Sequence, residues 1–244
     1  MENVGQSQAR NKEFKESFTR ERLFRDVVRN PSPVIFDVGA HIGESVSFLK
    51  RVFPTSSIYS FEPDPDSFKE LSSVIADGVS YFNHAVSDVD GTLPFYRNKI
   101  SHTNSLLKVN LNSNDSISIA KAKVENDQQF FEGFNEKILV SVVSLDSFVQ
   151  RHSIDQIDLL KIDVQGAECN VLRGGVAALL KTRVIVMEIG FFDYYENQTT
   201  FLDIESIISL LGFRLFSISE ISNNPMNGRT DWVEVVYLNQ NMMK

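Results

Sequence analysis

The residues Asp37-Val38-Gly39-Ala40-His41-Ile42-Gly43 combine types and spacing that suit nucleoside chemistry. Glycine has no Cβ, so Gly39 and Gly43 let a ligand come close to the backbone. A helix starting just after them presents unpaired N–H donors to it. Ala40 and His41 lie inside the turn and are grouped with it as cofactor contacts. Glu62 follows about 20 residues later, at the end of a predicted strand, the position from which a doubly wound sheet holds ribose hydroxyls. A dinucleotide site calls for three glycines, Gly-x-Gly-x-x-Gly, facing a pyrophosphate. Here Asp37 stands two residues before Gly39. An anion there repels phosphate and attracts an ammonium group, directly or through water. S-adenosylmethionine carries an α-ammonium and a sulfonium but no phosphate, so the turn favours it over NAD. A NAD(P)-linked oxidoreductase is the competing cofactor reading.

Two further positions have a functional and an ordinary reading. In such a fold the loop after the third strand, which ends in Ser87-Asp88, lies beside the adenine, and Asp88 is placed to accept from its exocyclic amine. It reads equally as a turn residue before Asp90-Gly91, a hairpin signal. His102, in Ser101-His102-Thr103-Asn104-Ser105, is a general base if this polar stretch folds over the pocket, and a solvated side chain otherwise.

The elements that would position these residues are legible in the apolar pattern. Val34 to Val38, with four apolar residues in five positions, reads as a strand buried on both faces. Val46, Leu49, Val52 and Phe53 mark one face of the helix after the turn. Strands are expected at 57–61, 79–82, 92–97, 138–143, 157–163, 184–189, 213–219 and 232–238, the last antiparallel. Helices open at Pro63-Asp64-Pro65-Asp66 and Ser144-Leu145-Asp146, follow Gly166, and run over 201–211. Residues 1 to about 12 read as frayed. Phe14, Phe18, Leu23, Val27 and Val28 then suggest an amphipathic helix, packed on the domain or on a partner and compatible with a homo-oligomer. The expected organisation is a helical extension over 1–30 and a catalytic domain over 31–244. Its polar insert, about 101–136, contains a short helix between Ala120 and Phe131.

Composition narrows the class. A chain of 244 residues with 42% hydrophobic and 23% charged residues is an ordinary globular mix. The net charge of −8 argues against a nucleic-acid surface. No apolar run is long enough to span a bilayer. The single cysteine, Cys169, excludes an intrachain disulfide and a Cys-based metal cluster. A reducing, cytoplasmic setting is the expectation.

Phe36-Asp37-Val38-Gly39-Ala40-x-x-Gly43, Phe61-Glu62-Pro63, Ala85-Val86-Ser87-Asp88, Ser144-Leu145-Asp146 and Lys161-Ile162-Asp163-Val164-Gln165-Gly166-Ala167-Glu168 together resemble the FkbM family of S-adenosylmethionine-dependent methyltransferases. The likeness runs over roughly residues 33 to 219. Gln165 stands where that family often has Glu, and His41 where it often has Asn. The resemblance implies an α/β class I methyltransferase fold, a Rossmann-like seven-stranded sheet with helices on both faces and an antiparallel last strand. It also implies a site at the carboxyl ends of the parallel strands.

On this reading Asp163 and Glu168 face the donor methyl region and orient the acceptor or take its proton, and Asp163 also counts among the cofactor contacts. Each has an ordinary alternative, a turn acid for Asp163 and a helix-start charge for Glu168. Glu188 closes the pocket from the next strand. No metal is assigned. The acceptor is expected to be a small-molecule, sugar or glycan-precursor hydroxyl. N-methylation and a catalytically silent nucleoside-binding module are the alternatives.

Overall fold

The computed structural model describes residues 4–116 and 132–242. The strands are β1 (Val34–Val38), β2 (Ser57–Phe61), β3 (Val79–Phe82), β4 (Ala85–Ser87), β5 (Gly91–Arg97), β6 (Glu136–Ser144), β7 (Ile157–Ile162), β8 (Thr182–Gly190), β9 (Phe213–Asn223) and β10 (Thr230–Asn239). The helices are α1 (Val4–Ser17), α2 (Arg20–Val28), α3 (Glu44–Val52), α4 (Pro65–Leu71), α5 (Leu145–Arg151), α6 (Glu168–Arg173), α7 (Val176–Leu180) and α8 (Phe201–Ile208). Seven strands form the main sheet in the order β3-β2-β1-β7-β8-β10-β9. β1 pairs in parallel with β2 and β7, and β10 runs antiparallel to β8 and β9.

Both faces are covered, which explains the unbroken apolar runs. On one face Ile35, Ile58, Leu159, Val184 and Val236 pack under Leu23, Phe24, Val27 and Val28 of α2 and Leu49 of α3. On the other, Phe36, Phe61, Leu160, Ile185 and Tyr237 pack under Phe148 of α5, Leu172 of α6, Leu179 of α7 and Ile204 of α8. Phe36 is fully buried, with ring centroids 5.9 Å from Phe61 and 5.7 Å from Phe148. Truncating such a ring to Ala costs about 3–5 kcal/mol.

Three local features differ from expectation. The N-terminal segment is helical from Val4, and the chain breaks at Phe18-Thr19, where the Thr19 hydroxyl accepts from Arg22 N and starts a second helix. Ala85 to Ser87 is a strand, not a loop. It joins a second sheet of order β4-β6-β5, in which β4 and β5 each pair with β6 and not with each other. Asp90-Gly91 is therefore no hairpin turn. Asp90 Oδ1 instead accepts from Ser144 N at 2.7 Å and ties this sheet to the start of α5. The helix expected between Ala120 and Phe131 lies outside the described residues.

Asp146 Oδ1 and Oδ2 accept from Ala178 N and Ala177 N and cap α7. At the edge of the main sheet, β9 leaves Phe216, Ile218 and Ile221 exposed, and its ladder with β10 slips register three times.

Candidate active site

The carboxyl ends of β1, β2, β7 and β8 open into a cavity of about 520 Å³. Glu62 lies on one side of it and Asp163, Glu168 and Glu188 on the other. Ligand pockets of this size, with an apolar lining and a few convergent polar groups, are the usual form of a small-molecule site.

The glycine turn is built for close packing of the protein on itself. Gly39 has φ +81°, and a Cβ there would stand 1.8 Å from the Asp163 carbonyl oxygen. The residue is glycine because the exits of β1 and β7 touch. Gly43, at φ +98°, would place a Cβ against Val74 and Leu71. His41 between them is left-handed, at φ 48°. Its N–H donates to Glu62 Oε2 at 2.9 Å, and Asp64 N–H donates to Glu62 Oε1 at 2.8 Å. Each Glu62 oxygen thus keeps acceptor capacity for a ligand while the carboxylate is held in place. Burial nevertheless pushes Glu62 up to about 8, against the pull of those two N–H groups.

Asp37 is fully buried and does not line the cavity. Register explains why: Ser60 on β2 and Lys161 on β7 lie directly across from it. Asp37 Oδ2 accepts from Ser45 Oγ at 2.6 Å and Ser60 Oγ at 3.2 Å, and Oδ1 is 3.4 Å from Lys161 Nζ. Its charge already faces an ammonium, that of Lys161. The sequence argument that Asp37 meets a ligand's ammonium is corrected on this point. Lys161 Nζ also donates to Gly39 O at 2.7 Å and lies 3.4 Å from Asp163 Oδ2. These two acids hold the Lys161 ammonium charged despite its burial.

At the β7 exit Asp163 is about a third exposed, at 31%. Gln165, left-handed at φ 54°, turns its amide back onto its neighbours. Nε2 donates to Asp163 Oδ1 at 2.8 Å and lies 3.5 Å from Glu188 Oε1, while Oε1 is 2.9 Å from the Tyr195 hydroxyl. Glu168 is buried, and its Oε1 accepts from Gly166 N at 3.0 Å. Burial, with Asp163 nearby, raises Glu168 to about 7 and Glu188 to about 8. Among the described residues no three His, Cys, Asp or Glu side chains are grouped as metal ligands.

His102 sits in a 3-10 turn, Ser101–Thr103, that crosses the cavity. His41 Nε2 is 2.9 Å from Ser101 Oγ, and the His41 and His102 rings are 6.4 Å apart. The Tyr195 hydroxyl is also 3.1 Å from Thr103 O, which ties this strap to the β8 side.

The structure therefore brings Gly39, His41, Glu62, His102, Asp163 and Glu168 to one cavity and leaves others outside it. Ala40 and Gly43 are buried in the turn itself. Ser87 is buried at the end of β4, its carbonyl pressed on Gly174, where a Cβ would come within 2.0 Å. Asp88 is exposed, and neither residue lines the cavity. Forming β4 turns both away, and His84, Ala85 and Val86 line the wall in their place. Residue-by-residue reading also missed Tyr195, Trp232 and Lys161. Only Lys161 had a local signal, a cation inside the apolar strand Ile157–Ile162, which demands a buried acid as partner.

The sheet order, the single antiparallel strand and the acids at the carboxyl rim define a class I methyltransferase. A family model described as the methyltransferase FkbM domain matches residues 37–215. The chain belongs to the FkbM methyltransferase family. It is similar to the 2-O-methyltransferase NoeI of Sinorhizobium fredii, at 29% identity over 213 residues covering 84% of each chain. It is also similar to the 31-O-demethyl-FK506 methyltransferase FkbM of Streptomyces tacrolimicus, at 30% identity over 173 residues and 66% of each chain. A solved FkbM methyltransferase from Methylobacillus flagellatus shares the fold, with a TM-score of 0.51 at 16% identity, over 85% of this chain and 44% of that one. No helix among the described residues is long and apolar enough to cross a membrane.

Proposed function

We propose that the protein is an S-adenosylmethionine-dependent O-methyltransferase acting on a hydroxyl of a small molecule or carbohydrate. The observation that carries this reading is one cavity holding a backbone-clamped carboxylate, Glu62, on one side and a group of carboxylates, Asp163, Glu168 and Glu188, on the other. The donor set fits the cofactor: Glu62 can accept two ribose hydroxyls, and Phe61, Ala85 and Val86 offer an apolar wall to a purine. The acids around the β7 exit suit a cationic sulfur.

When bound, S-adenosylmethionine supplies an electrophilic methyl group, so the protein's work is alignment and proton removal. Gln165 holds Asp163 Oδ1 and leaves Oδ2 beside Lys161. The acceptor's proton passes to the Asp163 carboxylate, and Glu168 and Glu188 help orient the hydroxyl. His102, on the strap over the cavity, is the alternative base. An amine acceptor would need no such set of carboxylates, and this favours oxygen over nitrogen.

Calorimetry with S-adenosylhomocysteine tests the reading. Binding is expected, and Glu62→Ala should weaken it by about 1–3 kcal/mol. No heat with the native protein, or an unchanged Kd in the variant, overturns the assignment.

A further inference from the structure

A second hollow, of about 290 Å³, lies on the α2 side of the sheet rim. Its outer wall is Arg20 and Phe24 of α2, Phe48 of α3, Glu220 of β9, and Trp232 and Glu234 of β10. It meets the larger cavity along a shared boundary that includes Asp163, Glu188, Glu44 and Trp232. A ligand seated there reaches Asp163 and Glu188, which also border the larger cavity, without touching Glu62.

The chemistry of the walls limits the ligand. Phe48 and Trp232 are half-buried and line the hollow; the Phe48 ring already carries the Arg51 guanidinium at 5.3 Å and the edge-on Phe24 ring at 5.3 Å. The Arg20 guanidinium is already engaged: it pairs with Glu234, lies 3.5 Å from Glu220 and sits over the Phe48 ring at 4.6 Å. Lys161, the other cation in the lining, stands between Asp37 and Asp163. Against these two cations the lining carries the carboxylates of Glu44, Asp163, Glu220 and Glu234, and Glu188, which burial raises to about 8. Carboxylates accept hydrogen bonds, so hydroxyl and ammonium groups are matched, while an anionic ligand meets like charge with no free cation to receive it.

We infer that this hollow is the acceptor subsite and that it takes an uncharged or amino-bearing saccharide ring and rejects an anionic one. The inference rests on the methyl-transfer reading above. The ring's C–H face lies on Trp232 and against the edge of Phe48, its outer hydroxyls reach Glu220 and Glu44, and the reacting hydroxyl enters the boundary at Asp163 and Glu188.

Trp232 is the only tryptophan in the chain and stands on the boundary of the two cavities, so with the larger one filled by S-adenosylhomocysteine its fluorescence reports on the hollow. The native protein, saturated with S-adenosylhomocysteine, is titrated with methyl glucoside, methyl glucosaminide and methyl glucuronide. The first two should give a saturable change. The glucuronide should bind at least about tenfold more weakly, as expected for a like-charge penalty of order 1.4 kcal/mol. Phe48→Ala should weaken the glucoside response without altering the Kd for S-adenosylhomocysteine. Glu220→Lys, on an exposed side chain, should narrow the glucuronide gap. Equal binding of the glucuronide by the native protein overturns the charge assignment. Silence with all three sugars while S-adenosylhomocysteine binds overturns the subsite. Failure to bind S-adenosylhomocysteine falls on the methyl-transfer reading and takes this inference with it.

Discussion

At the exit of β2, Glu62 is fixed by two backbone N–H groups, from His41 and Asp64, whose places are set by the main chain. At the exits of β7 and β8, Asp163 and Glu188 instead converge on one side-chain amide, that of Gln165. Backbone clamps survive most substitutions nearby, whereas a side-chain amide is one mutation from removal. The Glu62 end of the cavity is thus held by the main chain, and the Asp163 and Glu188 end by a replaceable side chain. Family resemblance is expected to persist at the first end while acceptor choice drifts at the second.

The largest effect should come from the contact that joins the two ends. Gly39→Ala places a Cβ within 1.8 Å of Asp163 O at a left-handed φ, so β1 and β7 must separate. A loss of about 4 kcal/mol or more in denaturant unfolding is expected. A loss below about 1 kcal/mol would mean the two ends are not pressed together. Next, Glu62→Gln should weaken S-adenosylhomocysteine binding by about 1–3 kcal/mol. Glu188→Gln should leave that Kd nearly unchanged and lower kcat. If both variants behaved alike in calorimetry and turnover, the two ends would not differ in role.

Gln165→Glu adds a carboxylate beside Asp163, Glu168 and Glu188 and removes the amide donor. Its unfolding free energy should fall by about 1–3 kcal/mol at pH 8 and by less as the pH is lowered, because protonating the added group removes its charge. A loss independent of pH would place the defect in shape and not in charge.

The native protein without ligand should show a related slope. Glu62 and Glu188 sit near 8 and Glu168 near 7 in the folded chain, against 4.5 for an ordinary Glu. Between those values the folded state binds more protons than the unfolded one, so stability falls as pH rises. The contribution is complete below about 4.5 and gone above about 8. Urea titrations across this window should show it, and Glu62→Gln should flatten it. The smallest effect is expected at Asp88→Ala, which should leave S-adenosylhomocysteine affinity within about twofold, since surface side chains away from a site contribute little.

The central elements were legible because their signals are local. Val34 to Val38 and Ile157 to Ile162 are apolar runs of strand length ended by a turn, and Gly39 and Gly43 mark that turn whichever surface they serve. What escaped depends on register between distant segments. Asp37 looked like a ligand contact because nothing in its own neighbourhood reveals that Ser60 and Lys161 stand beside it. The small sheet was hidden for the same reason, since β4 has three residues and finds its partner β6 about 50 positions later. Asp88 was assigned to the adenine because that strand was read as a loop. Tyr195 and Trp232 carry no pattern of their own, and only the closing of the sheet brings them to the cavity.

The bulged outer margin of the sheet has a consequence for how these molecules meet one another. Phe216, Ile218 and Ile221 make β9 greasy, yet two of the three slips against β10 add a residue to β9 itself and break up the straight row of donors and acceptors that an incoming strand would need. Two chains colliding there can adhere, but neither presents a template on which the other's sheet could grow. Adhesion at that margin therefore meets a broken edge and not a continuous one.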